Sequence, residues 1–592
     1  MPRTHLLSPR RIPPPLSVAL FLLLPACTGS IGSHSSAGSG STSGTTAASS
    51  GGAVLPVPGQ TGTGSGGAGQ TSVPIPMPQG STSFPPTEQA FRRLTVRQFG
   101  TSLQSLLGNL QLLPIQADGR DNGLAVIGAA TVVTSQRGVE QYQEAIDSAL
   151  DQVFSDSTRR NALMGCSPTL TPDDACSRGF LERFGRLAWR RALLPAELAR
   201  YQALAFSSAQ ALSDPVAGLR WASSALLQSP YFLYRTEVGD AVPSQPGWFA
   251  LTGSELASRL AYALWDAPPD DALLKAAEAG ALSTTDGLNR EAARLLSVPA
   301  GRASVGDFAR DYFGLEQLGG IAKDTTLFPS FTPTLAASMA EEIAHLYEAS
   351  AFEGTGNMLD LFTTHTRYLN PELAALYGVG SSALAPDFSN KLELSANEGR
   401  AGLLATSGIL SLFANQTRSS PSRRGKFIRE KLLCQTIPLP PPNVPALKDP
   451  PPGVMMTRRE SLLQHNTDPV CASCHSLMDP LGFGLENFDA IGAYRNFDQG
   501  KPIDATGNLN GTSFDGPEGL AKVLVATPEV SACLAKSFYQ YATASSASTE
   551  AAGAMQQLAD TFAQGGHQML PLITSIVNGD GFRFVSTPKA QP

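Results

Sequence analysis

Residues 471–475 read Cys471-Ala472-Ser473-Cys474-His475, which is a C-x-x-C-H pattern. In such a pattern two cysteine sulfurs can form thioether bonds to a porphyrin, and the histidine that follows can bind its iron. The stretch therefore predicts one covalently attached haem c. Cys471 and Cys474 would be the attachment points, and His475 would be the proximal ligand of the iron.

Three other interpretations of these two cysteines remain open: a redox-active pair, a simple disulfide, or half of a zinc site. A zinc site needs a second pair of ligands. No other C-x-x-C pattern or cluster of cysteine and histidine occurs in the sequence. The zinc interpretation is therefore the weaker one, and haem is favoured.

The second axial position of the iron decides between electron transfer and small-molecule chemistry. Met478 follows His475 by three residues and would lie on the same side of the porphyrin, so we expect it to pack rather than to bind iron. Asp479-Pro480 is expected to end the helix that carries the motif. His465 is preferred as the distal ligand, because a short segment ties it to Cys471. The other candidates are Met455, Met456, Met555, His567 and Met569.

The N-terminus predicts export. Three arginines precede an apolar run at residues 16–24, which is too short to span a bilayer and is typical of a signal peptide. The run ends in Leu24-Pro25-Ala26-Cys27, which is similar to a lipobox and predicts lipidation of Cys27. An ordinary cleaved signal peptide with an incidental cysteine is the alternative.

Residues 28–87 are nearly all Gly, Ser, Thr, Ala and Pro, and they cannot bury a core. Such a tether after a lipidated cysteine predicts a cell-envelope lipoprotein, facing the periplasm or lying on the outer-membrane surface. The formal charge of −7 becomes about −10 once three arginines leave with the signal peptide. No basic stripe survives, so nucleic-acid binding is excluded.

Four cysteines remain after lipidation and haem attachment. In an oxidising compartment they are expected to form two disulfides. Cys166 and Cys176 flank a short loop, and by elimination Cys434 would pair with Cys533. Four buried free thiols are the alternative.

The body of the chain is predicted to be mainly α-helical. Apolar residues recur three or four apart in most segments, with Pro, Gly, Ser or Asp between them. Small strands are expected only near 365–369 and in a hairpin region at 495–514. A stretch rich in proline at 437–452 is expected to be an extended linker before the lobe that binds haem. Helices are predicted at 88–108, 138–154, 177–192, 195–209, 213–229, 253–265, 286–297, 303–314, 333–350 and 422–433.

Several sequence blocks, taken together, resemble a family of large exported proteins from planctomycetes and myxobacteria. These proteins consist of consecutive domains of unknown function, numbered 1587, 1595, 1592, 1588 and 1585. The resemblance covers about residues 88–585. The blocks that carry it read FRRLT (91–95), WRRAL (189–193), SPYFLYR (229–235), SRLAYALW (258–265), Ser420-Pro421 to Cys434, and CASCHSLMDPLGFGLENFDAIGAYR (471–495).

The resemblance implies a protein similar to cytochrome c, whose C-terminal helical lobe holds the haem and lies next to the small β-hairpin region. The predicted segments are a lipoprotein signal peptide with a lipobox (1–27), a tether (28–87), three helical domains (88–160, 161–240 and 241–380), a haem-attachment domain (395–500) and a C-terminal helical domain (501–592).

The predicted function is envelope electron transfer, or service as the redox module of a haem-dependent oxidoreductase. One alternative is an enzyme similar to a peroxidase or oxidase, with an open distal site. The other is a non-catalytic lipoprotein that binds polysaccharide or another envelope component. The sequence assigns no catalytic residue. The expected partners are the membrane, through the lipid anchor, and a redox partner or substrate that the sequence does not identify.

Overall fold

The computed structural model describes residues 84–381, 383–395, 399–438, 454–546 and 551–588. The predicted signal peptide, Cys27 and the tether up to residue 83 lie outside these residues. Most of the proline-rich stretch at 437–452 also lies outside them.

The first part of the described chain contains two short strands and eight helices. Each helix places its apolar residues on one face, as their spacing requires. The elements are β1 (Thr87–Glu88), β2 (Ala90–Arg93), α1 (Val96–Leu107), α2 (Ala125–Thr131), α3 (Gln136–Phe154), α4 (Ser157–Met164), α5 (Ala175–Trp189), α6 (Pro195–Leu212), α7 (Pro215–Leu227) and α8 (Pro230–Leu233).

The central part alternates helices with short strands. Its elements are β3 (Tyr234–Glu237), β4 (Asp240–Ala241), β5 (Trp248–Ala250), α9 (Gly253–Leu264), α10 (Asp271–Glu278), α11 (Thr285–Ser297), α12 (Pro299–Phe313), α13 (Pro333–Phe352), β6 (Thr366–Tyr368), α14 (Pro371–Tyr377), β7 (Lys391–Glu393) and α15 (Ser407–Leu412). Single 3₁₀ turns lie at Ala281–Ser283, Leu315–Gly320, Met358–Phe362 and Leu403–Ala405.

The last part begins with α16 (Pro421–Phe427), which runs directly into a π-helical turn at Ile428–Leu432. The remaining elements are α17 (Arg458–His465), α18 (Pro469–Phe483), β8 (Phe497–Asp498), β9 (Lys501–Pro502), β10 (Thr506–Leu509), β11 (Thr512–Asp515), α19 (Gly516–Val525), α20 (Pro528–Thr543), α21 (Ala552–Gln564), α22 (Met569–Asn578), α23 (Asp580–Arg583) and β12 (Phe584–Ser586).

The mainly helical fold is confirmed, and so are the small strands near 366 and between 497 and 515. The first predicted helix was wrong at its start. It begins at Val96 rather than near residue 88, because Thr95 and Gln98 form a capping box there. The residues before Thr95 pair as strands instead, and β2 runs antiparallel to β3.

A four-stranded sheet in the order β1-β12-β5-β4 joins the two ends of the described chain. Strand β1 pairs in parallel with β12, and β12 pairs antiparallel with β5. Strands β8 with β9 and β10 with β11 form the two hairpins of the expected hairpin region.

Two hydrophobic clusters make up the core. The larger contains residues from Phe84 to Val585, and the smaller contains residues from Leu94 to Tyr262. The buried carboxylate of Glu237 accepts hydrogen bonds from Arg92 and Arg259. Burial opposes ionisation of Glu237, but the arginines around it outweigh burial and hold its pKa well below the usual range. Arg259 also donates to the Phe582 carbonyl at 2.8 Å, so this ion cluster ties α9 to α23, the short helix directly before β12.

Both predicted disulfides are confirmed. Cys166 pairs with Cys176, and Cys434 pairs with Cys533, with Cα atoms 5.7 and 5.3 Å apart. The second disulfide ties the end of the π-helical turn to α20. In the part of the chain that the structure describes, no helix has both the length and the apolar character needed to cross a membrane.

Candidate functional site

The C-x-x-C-H motif lies in the first half of α18. The Asp468 carboxylate caps this helix by accepting a hydrogen bond from the Val470 amide at 2.8 Å, and Pro469 occupies its first turn. Because the motif is helical, Cys471, Cys474 and His475 have the spacing i, i+3 and i+4. Side chains at this spacing lie on one face of a helix.

Both thiols of the motif are free. Cys471 is 8% exposed, whereas Cys474 is partly exposed and its sulfur lies 4.0 Å from the Pro438 carbonyl oxygen. The structure therefore does not support a simple disulfide at this position. Within the described ranges, no group of three or more His, Cys, Asp or Glu side chains is arranged to hold a metal ion.

The imidazole of His475 is held by a buried carboxylate one helical turn later. His475 Nδ1 lies 3.0 and 3.1 Å from the two carboxylate oxygens of Asp479, which is 1% exposed. Ser422 Oγ donates to Asp479 Oδ1 at 2.6 Å, and Asn466 Nδ2 donates to Oδ2 at 3.1 Å. Nδ1 therefore carries the ring proton, and no hydrogen bond to Nε2 occurs among the described residues.

A close crossing of α16 and α18 brings Ser422 to Asp479. A Cβ atom added at Gly425 would lie 1.8 Å from the Met478 carbonyl oxygen, and one at Gly482 would lie 1.9 Å from that of Pro421. Only glycine allows the two backbones to approach this closely. Met478 is buried in this crossing, in agreement with the packing role expected for it.

The expectation that Asp479-Pro480 ends the helix was wrong, because α18 continues to Phe483 with Pro480 inside it. Proline removes the helical hydrogen bond to the carbonyl four residues earlier, which belongs to Ser476. Ser476 is exposed, so water can serve that carbonyl. Packing against α16 holds the helix together across this position.

The preferred distal candidate, His465, lies beside His475. It is the last residue of α17, and the two imidazole rings meet edge to face with their centres 5.1 Å apart. The two rings are in contact, so His465 would have to move away from His475 for a haem to lie between them.

The other distal candidates have different surroundings. Met569 is in the larger hydrophobic cluster and Met555 packs against it. The ring of His567 packs edge to face on Phe562. Met455 is 55% exposed, its neighbour Met456 is partly exposed, and both lie before α17.

An exposed apolar stripe runs along α18 next to the motif. Val470 and Leu477 are 55% and 39% exposed, and with Cys474 they have the spacing i, i+4 and i+7. Val470 and Leu477 therefore offer a small apolar surface on the side of α18 that carries Cys474. The residues present therefore fit a covalently bound haem: they offer two free thiols, an oriented imidazole with a free Nε2, and an apolar surface beside them.

The sequence did not predict three residues of this site: Asp479, Ser422 and Asn466. A signal for Asp479 was present, because it follows His475 by four residues and would share its face in a helix. Ser422 is 57 residues from Asp479 in the chain, and no local pattern points to it.

Five family models for proteins of unknown function match the chain. They cover residues 92–155 (DUF1587), 176–237 (DUF1595), 251–379 (DUF1592), 400–498 (DUF1588) and 510–582 (DUF1585). The matches follow one another without overlap and in the predicted order, and α18 lies inside the fourth. No curated protein and no solved structure matches the chain.

Proposed function

We propose that this chain, which belongs to the proteins of unknown function built from these five consecutive domains, is an exported c-type haem protein. It would transfer electrons in the cell envelope, or serve as the redox module of an oxidoreductase. The observation that carries the proposal is the pairing of His475 with Asp479. This pairing leaves Nε2 free on the same helical face as two reduced cysteines.

In this proposal Cys471 and Cys474 would hold the porphyrin as thioethers, and His475 would bind the iron through Nε2. A bound haem supplies an iron that accepts and releases one electron. The region from α16 to α18 would then act as a helical lobe similar to cytochrome c.

Asp479 has a defined role in this arrangement. Its buried carboxylate accepts the Nδ1 proton, which fixes the ring orientation and the tautomer and makes Nε2 a stronger donor. Ser422 and Asn466 hold the carboxylate in turn, so the imidazole cannot rotate freely. Because a ligand that donates more electron density stabilises oxidised iron, we expect the bound haem to have a low reduction potential.

His465 is proposed as the distal ligand of the electron-transfer form. Its ring already lies against that of His475, and it is the last residue of a short helix. The ends of helices move more easily than their middles, so an outward shift of His465 is inexpensive. Binding of iron by both histidines would close the distal face to external ligands.

The pairing of His475 with Asp479 also favours a second candidate function, that of a haem enzyme similar to a peroxidase or oxidase. Electron donation from the proximal side assists cleavage of an O–O bond when the distal face is open. The two candidates differ in one observable. The reduced electron-transfer form, with His465 bound, does not bind carbon monoxide, whereas an open distal site does.

Haem attachment is tested by producing the protein together with a haem-attachment system and staining for haem after denaturing electrophoresis, since thioether bonds survive denaturation. We expect a stained band that disappears in the C471S/C474S double variant. Ser473→Ala is the matched control, because Ser473 is an exposed residue within the same motif and its loss should leave the stain intact. An unstained wild-type protein would refute the proposal and favour the non-catalytic lipoprotein that binds an envelope component.

The envelope location and the lipid anchor rest on the sequence of residues 1–27. The two disulfides also support export, because such bonds persist in oxidising compartments. Radiolabelled fatty acid should label the wild type and not Cys27→Ser. A wild-type protein that remains unlabelled and is released in soluble form would contradict the anchor.

A further inference from the structure

A second site lies apart from the C-x-x-C-H helix. A cavity of about 780 Å³ opens between the start of α1, helices α12 and α13, and the end of α20. Cavities of this size hold small organic molecules. Its lining residues lie between 95 and 341, together with Tyr541, so it shares none with the proposed haem site.

One part of the cavity lining carries two buried carboxylates, Asp266 and Asp307, which share Arg97. Arg97 Nε lies 2.9 Å from Asp266 Oδ2, and Arg97 Nη2 lies 2.5 Å from Asp307 Oδ2. Gln98 Nε2 donates to the other oxygen of Asp266 at 2.8 Å. Burial raises the pKa of Asp266 to about 7 and also raises the pKa of Asp307. When both carboxylates are ionised, one guanidinium faces two negative charges, so the pair carries one uncompensated negative charge.

The other charged side chains of the lining are already paired. Asp118 binds Arg93 at 2.9 Å, and Glu341 binds Arg310 at 2.5 Å. Arg120 bridges Asp311 and Glu316, and Lys431 lies near enough to Asp311 to interact electrostatically with it. No guanidinium of the lining is free to bind an anion. The uncompensated charge is concentrated at Asp266 and Asp307.

The hydroxyl of Tyr541 marks the same place independently. Tyr541 lines the cavity, is 5% exposed, and makes no hydrogen bond within the described chain. It is close enough to Asp266, Asp307, Asp311 and Arg97 to interact with them electrostatically. Its hydroxyl therefore has no partner in this part of the chain, and a ligand in the cavity can form a hydrogen bond with it.

The lining also contains apolar residues. Ala336, Ala337 and Ala340 present small side chains from α13, and Leu315 and Leu318 from the adjoining 3₁₀ turn continue this surface. The small alanine side chains leave the space that the cavity occupies. The lining is therefore acidic in one part and apolar in another.

We propose that this cavity binds a small organic cation with an apolar body, such as a primary alkylammonium. The ammonium group lies between Asp266, Asp307 and the Tyr541 hydroxyl, and the apolar part lies against the alanines of α13. Charge-assisted hydrogen bonds to two carboxylates supply most of the selectivity. Carboxylates and phosphates are disfavoured, because the acidic pair repels them and every arginine is engaged.

The proposal is tested by isothermal titration of the full-length holoprotein with n-hexylammonium, 1-hexanol and hexanoate, which share one apolar chain. At about pH 8 we expect hexylammonium to bind at one site, at least about tenfold more tightly than hexanol, and hexanoate not to bind. Binding should weaken at about pH 5.5, where Asp266 is protonated and the ligand keeps its charge. Equal affinity for hexylammonium and hexanol would overturn the proposal, as would the absence of any binding.

Variants localise the site. Asp266→Asn and Asp307→Asn should each reduce the affinity for hexylammonium at least about tenfold, and Tyr541→Phe should reduce it less. Asp173→Asn is the matched control, because Asp173 is exposed and lies outside the cavity. Ala337→Trp fills the cavity from an exposed position that the fold tolerates, so it remains informative if a buried variant fails to fold. If Ala337→Trp binds as the wild type does, the ligand lies elsewhere and the proposal is wrong.

Discussion

His475 and Asp479 lie one turn apart on α18, and a hydrogen bond of 3.0 Å joins the imidazole to a carboxylate that is 1% exposed. In this pair the imidazole of His475 is held in one orientation, in which it can bind a metal, and the carboxylate of Asp479 is shielded from water. The chemistry of the proposed haem site depends on both properties.

The first prediction concerns that charge. Asp479→Asn keeps a hydrogen-bond acceptor but removes the negative charge, so the imidazole becomes a weaker donor and the oxidised iron loses stabilisation. The reduction potential should rise by about 60 mV or more, which corresponds to a tenfold change for one electron. Spectroelectrochemical titration measures it. Ser473→Ala is the control, and an unchanged potential in Asp479→Asn would rule out this role.

The second prediction concerns the distal position. His465→Ala should convert a six-coordinate, low-spin spectrum into a high-spin one, and the reduced protein should then bind carbon monoxide. His475→Ala should keep covalent haem but change its spectrum. If the wild type itself binds carbon monoxide and His465→Ala changes nothing, the distal site is open and the enzyme interpretation prevails.

The third prediction tests the crossing of α16 and α18. Gly425→Ala places a methyl group against the Met478 carbonyl and should destabilise the fold by about 1–3 kcal/mol in urea unfolding. Gly179→Ala is the matched control, because that helical glycine has no atom within 4 Å of an added Cβ. It should be stabilising by about 0.5–1 kcal/mol. Equal effects of the two substitutions would show that the helices do not approach this closely.

The fourth prediction compares the disulfides. Cys434–Cys533 closes a loop of 99 residues around the proposed haem site, whereas Cys166–Cys176 closes one of 10. In the chain-entropy account the longer loop contributes more, about 4–5 kcal/mol against about 3. Urea unfolding of the two double alanine variants should therefore show the larger loss for C434A/C533A. The reverse order would show that native-state contacts, rather than loop closure, set the difference.

The fifth prediction concerns the pH dependence of stability. The pKa of Asp266 is raised from 3.8 to about 7 in the folded protein. Between about pH 4 and about pH 7 the folded protein therefore keeps a proton on Asp266 that the unfolded chain has released. The contribution of Asp266 is therefore complete below about pH 4 and is lost as the pH rises through about 7, with a slope of at most about 1.4 kcal/mol per unit.

Asp266→Asn should lack this loss, so the variant should gain stability relative to the wild type between about pH 5 and about pH 8. The groups that face Asp266 are Arg97, Asp307, Asp311 and Tyr541, and they are unchanged in this comparison. Parallel stability curves for the two proteins would contradict the raised pKa.

Local patterns in the sequence predicted much of the fold. Apolar periodicity, N-caps and first-turn prolines act within a few residues of one another, and they predicted helices α3, α5, α6, α7, α9, α11, α12 and α13. The short helices α4, α8 and α10 were not predicted. The start of α1 was misplaced, because residues 87–93 pair with strands more than 140 positions away and no local pattern records such a partner. The expectation that Pro480 ends its helix was wrong for a similar reason. Helix α16, which is distant in the sequence, packs on α18 and holds it together across Pro480.

The sequence by itself determined the haem-attachment motif, the disulfide partners and the mainly helical body, because these depend on residue identity, spacing and local periodicity. Only the tertiary structure decided that Ser422 and Asn466 hold Asp479 against His475, that His465 lies beside the same ring, and that Arg97, Asp266 and Tyr541 meet in one cavity. These groups are distant in the chain. Burial of apolar helix faces brings them together, and a linear pattern does not encode which faces meet.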